Sequence, residues 1–438
     1  MKIKKHLSFT SMRIKLSCFF KKIPDCRQQA KISISLHDIL MSGFACMYFQ
    51  DPSLLQFQTR MQEEQHRNNL QTLFGVEVIP KDTQMRECID QVDRENFRDI
   101  FKAYYLCLQR NKRLEDYQIL PGLYLVPMDG TEFFKSEKIS CEHCLRKEHK
   151  EGEINYSHQA LQGGIMHPDQ SVIIPFMPEE IHNTDGTNKQ DCEMNAAKRF
   201  VVKTRQDRPQ LGIIFGGDGL FSRQPIIEDI IAKKAHYLFV AKPKDHKYLM
   251  DWVAAYPKLH EINFSDEKGN VYCCEWMNNV PLSGREDSIN VNLFRCAVKT
   301  KEGKIFYRND WVTDLVINEE NIKILVRAGR CRWKVENECF NVLKNHGYCI
   351  SHNYGHGKEN LCFNFYLLTT LAFFFHQILE ATDGLYQAAR KKFGSKRHMW
   401  ETLRAYIKII IFNTWEKLLS FALTPTNYKL IEAGAQGP

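Results

Sequence analysis

The sequence predicts a mixed α/β fold, a sheet flanked by helices, with helical regions on either side and a β-rich insertion within it. Three observations predict this. Apolar residues recur at spacings of three and four from residue 36 to about 118, and again from Ile317 onward, which is the period of helices. From about residue 120 that period gives way to short β-type runs bounded by turn residues. Those runs and the helical stretches among them follow the order strand, strand, strand, helix, strand, helix, strand, which is the order of a mixed α/β unit.

Taken in order, residues 1–35 form a basic arm that reads as flexible, and 36–118 a helical N-terminal region with Leu36, Ile39 and Leu40, then Phe97, Ile100, Phe101, Tyr104, Tyr105 and Leu108 on its apolar faces. Residues 119–244 form the first part of the core. GLYLVPMDG, YSHQALQGGIMHP and SVIIPFMP read as three consecutive strands, KQDCEMNAAKRFVVKTRQ as a helix, and LGIIFGGDG as a short apolar strand ending in glycines. RQPIIEDIIAKKA reads as a helix with Pro225 in its first turn, and YLFVAKP as a further strand. Residues 245–315 break the rhythm with NVYCCEWM, INVNLFRCAV and KIFYRNDWVTDLV, rich in aromatic and β-branched residues, and read as the β-rich insertion. Residues 316–380 resume the helical pattern and complete the core, and 381–438 read as a basic amphipathic helical tail with Arg390, Lys391, Lys392, Lys396, Arg397, Arg404 and Lys408.

Composition excludes a low-complexity, collagen-like or wholly disordered chain, because 43% of the 438 residues are hydrophobic and 26% are charged. The formal net charge of +8 is not spread over the chain. Residues 1–35 hold nine basic side chains and one acid, Asp25, so the arm carries that whole excess. A basic arm on a near-neutral body attracts phosphate backbones or an anionic membrane face. Fifteen cysteines, scattered without the dense spacing of a secreted scaffold, predict a reducing compartment. The N-terminal stretch MKIKKHLSFTSMRIKLSCFF has its apolar runs interrupted by polar and basic residues, so no secretion signal is expected from it. Leu361 to Leu379, the most hydrophobic stretch, contains Asn364, Thr369, Thr370, His376 and Gln377 and reads as a buried core helix, not a membrane span.

Three acids stand where chemistry needs them. Asp129 ends the apolar strand at Met128-Asp129-Gly130-Thr131, and Asp218 ends another at Gly216-Gly217-Asp218-Gly219. The carboxyl ends of neighbouring parallel strands open on one sheet edge, so the two aspartates can converge and share divalent cations. Glu336 lies on the helix after the insertion, four residues from Arg332 and on the same face. Three such acids suit two-metal phosphodiester chemistry. Each acid alone also has a plainer account: Asp-Gly and Gly-Asp-Gly are ordinary turn sequences, and a helix glutamate beside an arginine is a common surface pair.

As a set, the strings LYLVPMDGTEFF, KQDCEMNAAKR, GGDGLFS and RWKVENECFNVLKNHGY followed by SHNYGHG resemble bacterial insertion-sequence transposases of the DDE class, over about residues 75 to 380. The resemblance is to the subgroup with a β-strand insertion between the second aspartate and the glutamate, an interval of 118 residues here. It implies a ribonuclease H-like catalytic domain in which Asp129, Asp218 and Glu336 bind Mg²⁺ or Mn²⁺ and Arg332 steadies the glutamate or the scissile phosphate. It also implies strand cleavage at element ends and joining of the 3′-hydroxyl to target DNA, with double-stranded DNA as partner, bound sequence-tolerantly by the basic arm at 1–35 and end-specifically by a DNA-binding region at 36–118, a homo-oligomer on that DNA, no membrane, and a bacterial cytoplasmic, nucleoid-associated location. Two positions depart from the family. Its tyrosine three residues before the arginine is Gly329 here, and its lysine seven residues after the glutamate is Leu343, with Lys344 one further on as the candidate. Glu338 is an alternative acid without an arginine four residues before it.

Cys141-Glu142-His143-Cys144, with His149 and His158 downstream, carries half of a zinc-site spacing; a structural Zn²⁺ near Cys141 and Cys144 and a pair of reduced loop thiols are both open readings. Asp191 reads as a charge at a helix N-terminus and not as a further metal ligand. His352-Asn353-Tyr354-Gly355-His356-Gly357 reads either as a turn whose histidines touch DNA or as a helix-capping turn. The competing functions are a structure-selective nuclease that cuts without joining and a transposase-derived DNA-binding protein without catalysis.

Overall fold

The computed structural model describes residues 6–62, 68–150, 152–183, 190–352 and 354–427. The chain divides into two compact units, each assembled from separated stretches. A helical unit comprises 1–113, 133–158 and 341–438, and an α/β unit comprises 114–132 and 159–340.

The strands in chain order are β1 (Gln118–Leu120), β2 (Leu123–Ser136), β3 (Leu145–Glu148), β4 (Ile154–Ile165), β5 (Ile174–Pro175), β6 (Glu179–Ile181), β7 (Gly212–Gly217), β8 (His236–Val240), β9 (His260–Ser265), β10 (Val271–Pro281), β11 (Asn290–Lys299) and β12 (Ile305–Thr313). In the α/β unit β2, β7 and β8 lie parallel, with Pro127 opposite Gly216 and Gly216 opposite Leu238. Parallel neighbours need crossovers. The helices Glu193–Asp207 and Gln224–Ala232 supply them, the second with proline in its first turn as its sequence predicts. Both faces of such strands are covered, which is why Ile213, Ile214 and Phe215 run without alternation and are all fully buried.

The stretch 245–315 is β-rich but not a separate module. After the helix Lys247–Ala254, strands β9 to β12 form an antiparallel meander whose last strand pairs with β8, Trp311 opposite Val240. The meander thus prolongs the core sheet in the order β2-β7-β8-β12-β11-β10-β9. Alternation along β11 buries Phe294, Cys296 and Val298, and Phe294 stacks on Trp311 at 5.1 Å.

In the helical unit the helix Leu361–Thr382 is buried on every side from Phe363 to Leu379, and 94% of its most hydrophobic 18-residue window is buried, the condition of a helix at the centre of a packed core. Around it lie Phe44, Tyr104 and Phe101, with Phe44 and Phe375 rings 4.8 Å apart and Tyr104 and Phe375 4.9 Å apart. Its N-terminus is capped from afar. Asp90 accepts the backbone N–H groups of Lys358, Glu359, Asn360 and Leu361 at 2.9–3.0 Å.

Two expectations for this unit are corrected. The basic arm is ordered from Phe9 to Phe20 as a helix capped by Ser8, and Phe9, Met12, Leu16 and Phe20 are buried, Phe9 stacking on Trp415 at 4.9 Å. Its basic residues had masked the i, i+3, i+4 apolar stripe; Lys2, Lys4 and Lys5 lie outside the described residues. As far as residue 427 the C-terminal tail holds three α-helices, Gly384–Phe393, Lys396–Ile409 and Trp415–Leu423, broken at Gly394 with φ +70° and capped at Ser395 and Thr414. Several of its cations serve the fold: Lys392 bonds the carbonyls of Ala422 and Leu423, and Arg404 those of Phe49 and Gln50.

Candidate active site

Residue pairing along β2 and β7 decides the site. Pro127 faces Gly216, so Asp129 and Asp218, each two residues further on, emerge side by side at the same sheet edge. Adjacent strands lie about 4.8 Å apart, close enough for two carboxylates to share a cation. Asp218 directly follows β7, as its sequence predicts. Asp129 does not end its strand; β2 continues to Ser136, because Thr131, Phe133 and Phe134 keep the extended pattern that Asp129-Gly130 suggested would break. Gly130 has a different use. A Cβ there would stand 2.7 Å from Cδ of Glu193, so the missing side chain lets that glutamate approach.

Glu336 lies in a π-helical stretch, Val335–Phe340, just beyond the helix Ile322–Arg330. It lines the same cleft as Asp129 and Asp218, about 580 Å³ in volume, together with Lys242, Arg308, Arg330 and Arg332. Arg332 reaches both Glu336, at 2.5 Å, and Asp129, at 3.6 Å, and Lys242 stands 3.4 Å from Asp218. The guanidinium of Arg330 is fixed by the Tyr272 hydroxyl at 2.8 Å and lies over the Tyr307 ring at 4.7 Å. The β-rich stretch therefore lines the cleft as well as extending the sheet.

Sequence reasoning missed Glu193. Its carboxylate accepts the Gly130 N–H at 3.0 Å, and the same N–H donates to Asp129 Oδ1 at 3.0 Å. Burial, with Asp129 and Asp218 as like charges, pushes the Glu193 carboxyl up to about 7. Burial also raises Asp129 to about 6, opposed by Arg332 and assisted by Glu336 and Asp218. Asp191, two residues before Glu193, is committed elsewhere. It is buried and pairs with Arg199 at 2.6 Å, which also holds Glu179 at 2.8 Å.

The other candidates fall as follows. Lys344 lies on the short helix Asn341–Asn345 of the helical unit, and Leu343 beside it is fully buried. Glu338 pairs with Lys334 at 3.4 Å. Gly329 faces Trp311, whose indole would lie 2.5 Å from a Cβ at that position, so the ring occupies the space a tyrosine would need. Cys141 and Cys144 lie in the helical unit with their Sγ atoms 3.8 Å apart, near His158 and His356 in a group able to hold a metal ion. His149 instead meets the Asn155 amide at 2.6 Å.

Carboxylates brought together in one cleft suit a hard divalent cation. Lining cations beside the acids suit a polyanion.

No protein-family model matches the chain, and no curated protein does. Among solved structures, the chain is similar to a piggyBac transposase in a cryo-EM synaptic complex with hairpin DNA, at a TM-score of 0.40 and 10% identity, covering 99% of this chain and 80% of that one.

Proposed function

We propose that the chain is a DDE-type DNA transposase of ribonuclease H-like fold, acting in a bacterial cytoplasm on double-stranded DNA as a homo-oligomer. The observation that carries this reading is the pairing of Asp129 and Asp218 on parallel neighbours with Glu336 lining the same cleft. Asp129, Asp218 and Glu336 would hold Mg²⁺ or Mn²⁺; bound there, such ions supply activation of water or a DNA 3′-hydroxyl and neutralise charge at the scissile phosphate. Arg332 orients Glu336 and Asp129 through one guanidinium and offers its remaining donors to phosphate. Arg330, clamped by two tyrosines, presents a fixed cation to the backbone of the DNA, and Lys242 steadies Asp218.

The test is Mg²⁺-dependent cleavage and joining on a duplex carrying the ends that flank the gene, comparing wild type with Asp218→Asn. Cleavage and joining by wild type, with binding alone by the variant, supports the proposal. Cleavage without joining by wild type makes the chain a nuclease. Equal DNA binding by two inert proteins makes the acids structural and the chain a DNA-binding protein.

A further inference from the structure

We propose that Cys141, Cys144, His158 and His356 bind one zinc ion that clips the β3–β4 hairpin to the loop preceding the helix Leu361–Thr382. All four belong to the helical unit, and their donor atoms lie within 4.8 Å of one another. Four of the separations are close to those of a tetrahedron. Zinc–sulfur bonds of about 2.3 Å and zinc–nitrogen bonds of about 2.0–2.1 Å place sulfur atoms about 3.8 Å apart and sulfur and nitrogen about 3.6 Å apart. Here the two Sγ atoms are 3.8 Å apart, His158 Nε2 is 3.4 Å from each of them, and His356 Nε2 is 3.6 Å from Cys144 Sγ.

Other uses of these groups fit less well. A disulfide needs its sulfurs about 2.05 Å apart, and every described cysteine is free. The neighbouring imidazoles are turned elsewhere, His149 to Asn155 and His143 towards Glu359 at 3.9 Å. Two thiolates and two imidazoles, a set that suits tetrahedral coordination, select zinc among the common divalent ions.

The site is closed. Cys144 and His158 are 1% and 2% exposed, and Phe134 packs against both histidines, its ring 4.5 Å from that of His356 and 5.8 Å from that of His158. A full protein ligand set behind aromatic rings leaves no position for a substrate, so the zinc is structural. It also gives the second histidine of the glycine-rich turn a role other than DNA contact. Cys144 and His356 are 212 residues apart in the chain, so the ion closes a long loop in the unfolded state as well as a local one.

The experiment is metal analysis of the full chain, purified without chelator from zinc-supplemented medium, which reads metal content independently of DNA chemistry. About one zinc per chain is expected, and cobalt exchanged into the site should show the ligand-field and thiolate charge-transfer bands of a tetrahedral centre. Cys144→Ser and His356→Gln should each weaken zinc binding at least about tenfold, whereas His143→Gln and His149→Gln leave it unchanged. Should Cys144→Ser fail to fold, Cys141→Ser at the less buried thiol takes its place. A zinc-free purified chain, iron in place of zinc, a Cys141–Cys144 disulfide in the isolated protein, or unaltered zinc affinity in the ligand variants would each overturn the assignment.

Discussion

The carboxyls of Asp129 and Glu193 sit above the usual carboxylate range, at about 6 and about 7, so between pH ~4 and ~7, Asp129 up to about 6 and Glu193 from about 4.5, the folded state holds protons that the unfolded chain releases. Stability in Mg²⁺-free buffer therefore falls as pH rises through that window, by on the order of 3 kcal/mol for each group. Glu193→Gln removes one of the two groups. Its melting temperature, compared with wild type by calorimetry at pH 5 and pH 8, should decline less over that span, and Mg²⁺ should restore wild-type stability at pH 8. An identical decline in both proteins would refute the coupling. That Asp129, Asp218, Glu336 and Arg332 share one cleft was legible in the sequence because a glycine-flanked acid in or after an apolar run, and an arginine one turn before a glutamate, are local patterns. Glu193 was not legible. Its approach depends on a helix packing against β2, and the only trace in the sequence is the glycine that makes room for it.

Helices and strands carry their own constraints. Asp90 satisfies four N–H groups at the start of the longest helix, so Asp90→Ala should cost about 2 kcal/mol or more, measured as a lowered urea midpoint with an unchanged slope. Gly329→Ala drives a methyl into the Trp311 indole, and a loss of roughly 1–3 kcal/mol is expected; a variant as stable as wild type would show that the helix Ile322–Arg330 shifts freely. Trp311 of β12 thus leaves no room for a larger side chain at position 329. Element types were legible because period two and period 3.6 are local. The pairing of β12 with β8 was not, since an antiparallel meander reads the same whether it stands apart or extends a core sheet.

Across the whole molecule the excess charge sits in residues that also build a core. Truncating 1–35 removes Phe9, Met12, Leu16 and Phe20 from the helical unit, so such a deletion tests folding and not DNA affinity. Within the arm Arg27 is bound to Asp25 at 2.6 Å, whereas Lys21 and Lys22 are exposed. Lys21→Gln with Lys22→Gln should leave the melting temperature unchanged and, if both lysines meet phosphates, reduce the steepness of log K against log salt by roughly 2. An unaltered slope would assign DNA binding to other cations. The two units interleave along the chain, which passes between them near residues 113, 132, 158 and 340. Composition read along a line does not register such returns, because a stretch like 133–158 differs little in residue usage from the strands around it.

Gly130 donates its one N–H to two carboxylates at once, Asp129 and Glu193, each at 3.0 Å. That amide is consequently a spectroscopic reporter between two acids of the cleft: protonation of either acid, or arrival of a cation between them, alters the field on a single proton. Following its NMR resonance through a Mg²⁺ titration would read ion occupancy on the resting protein, with no DNA present and no side chain replaced.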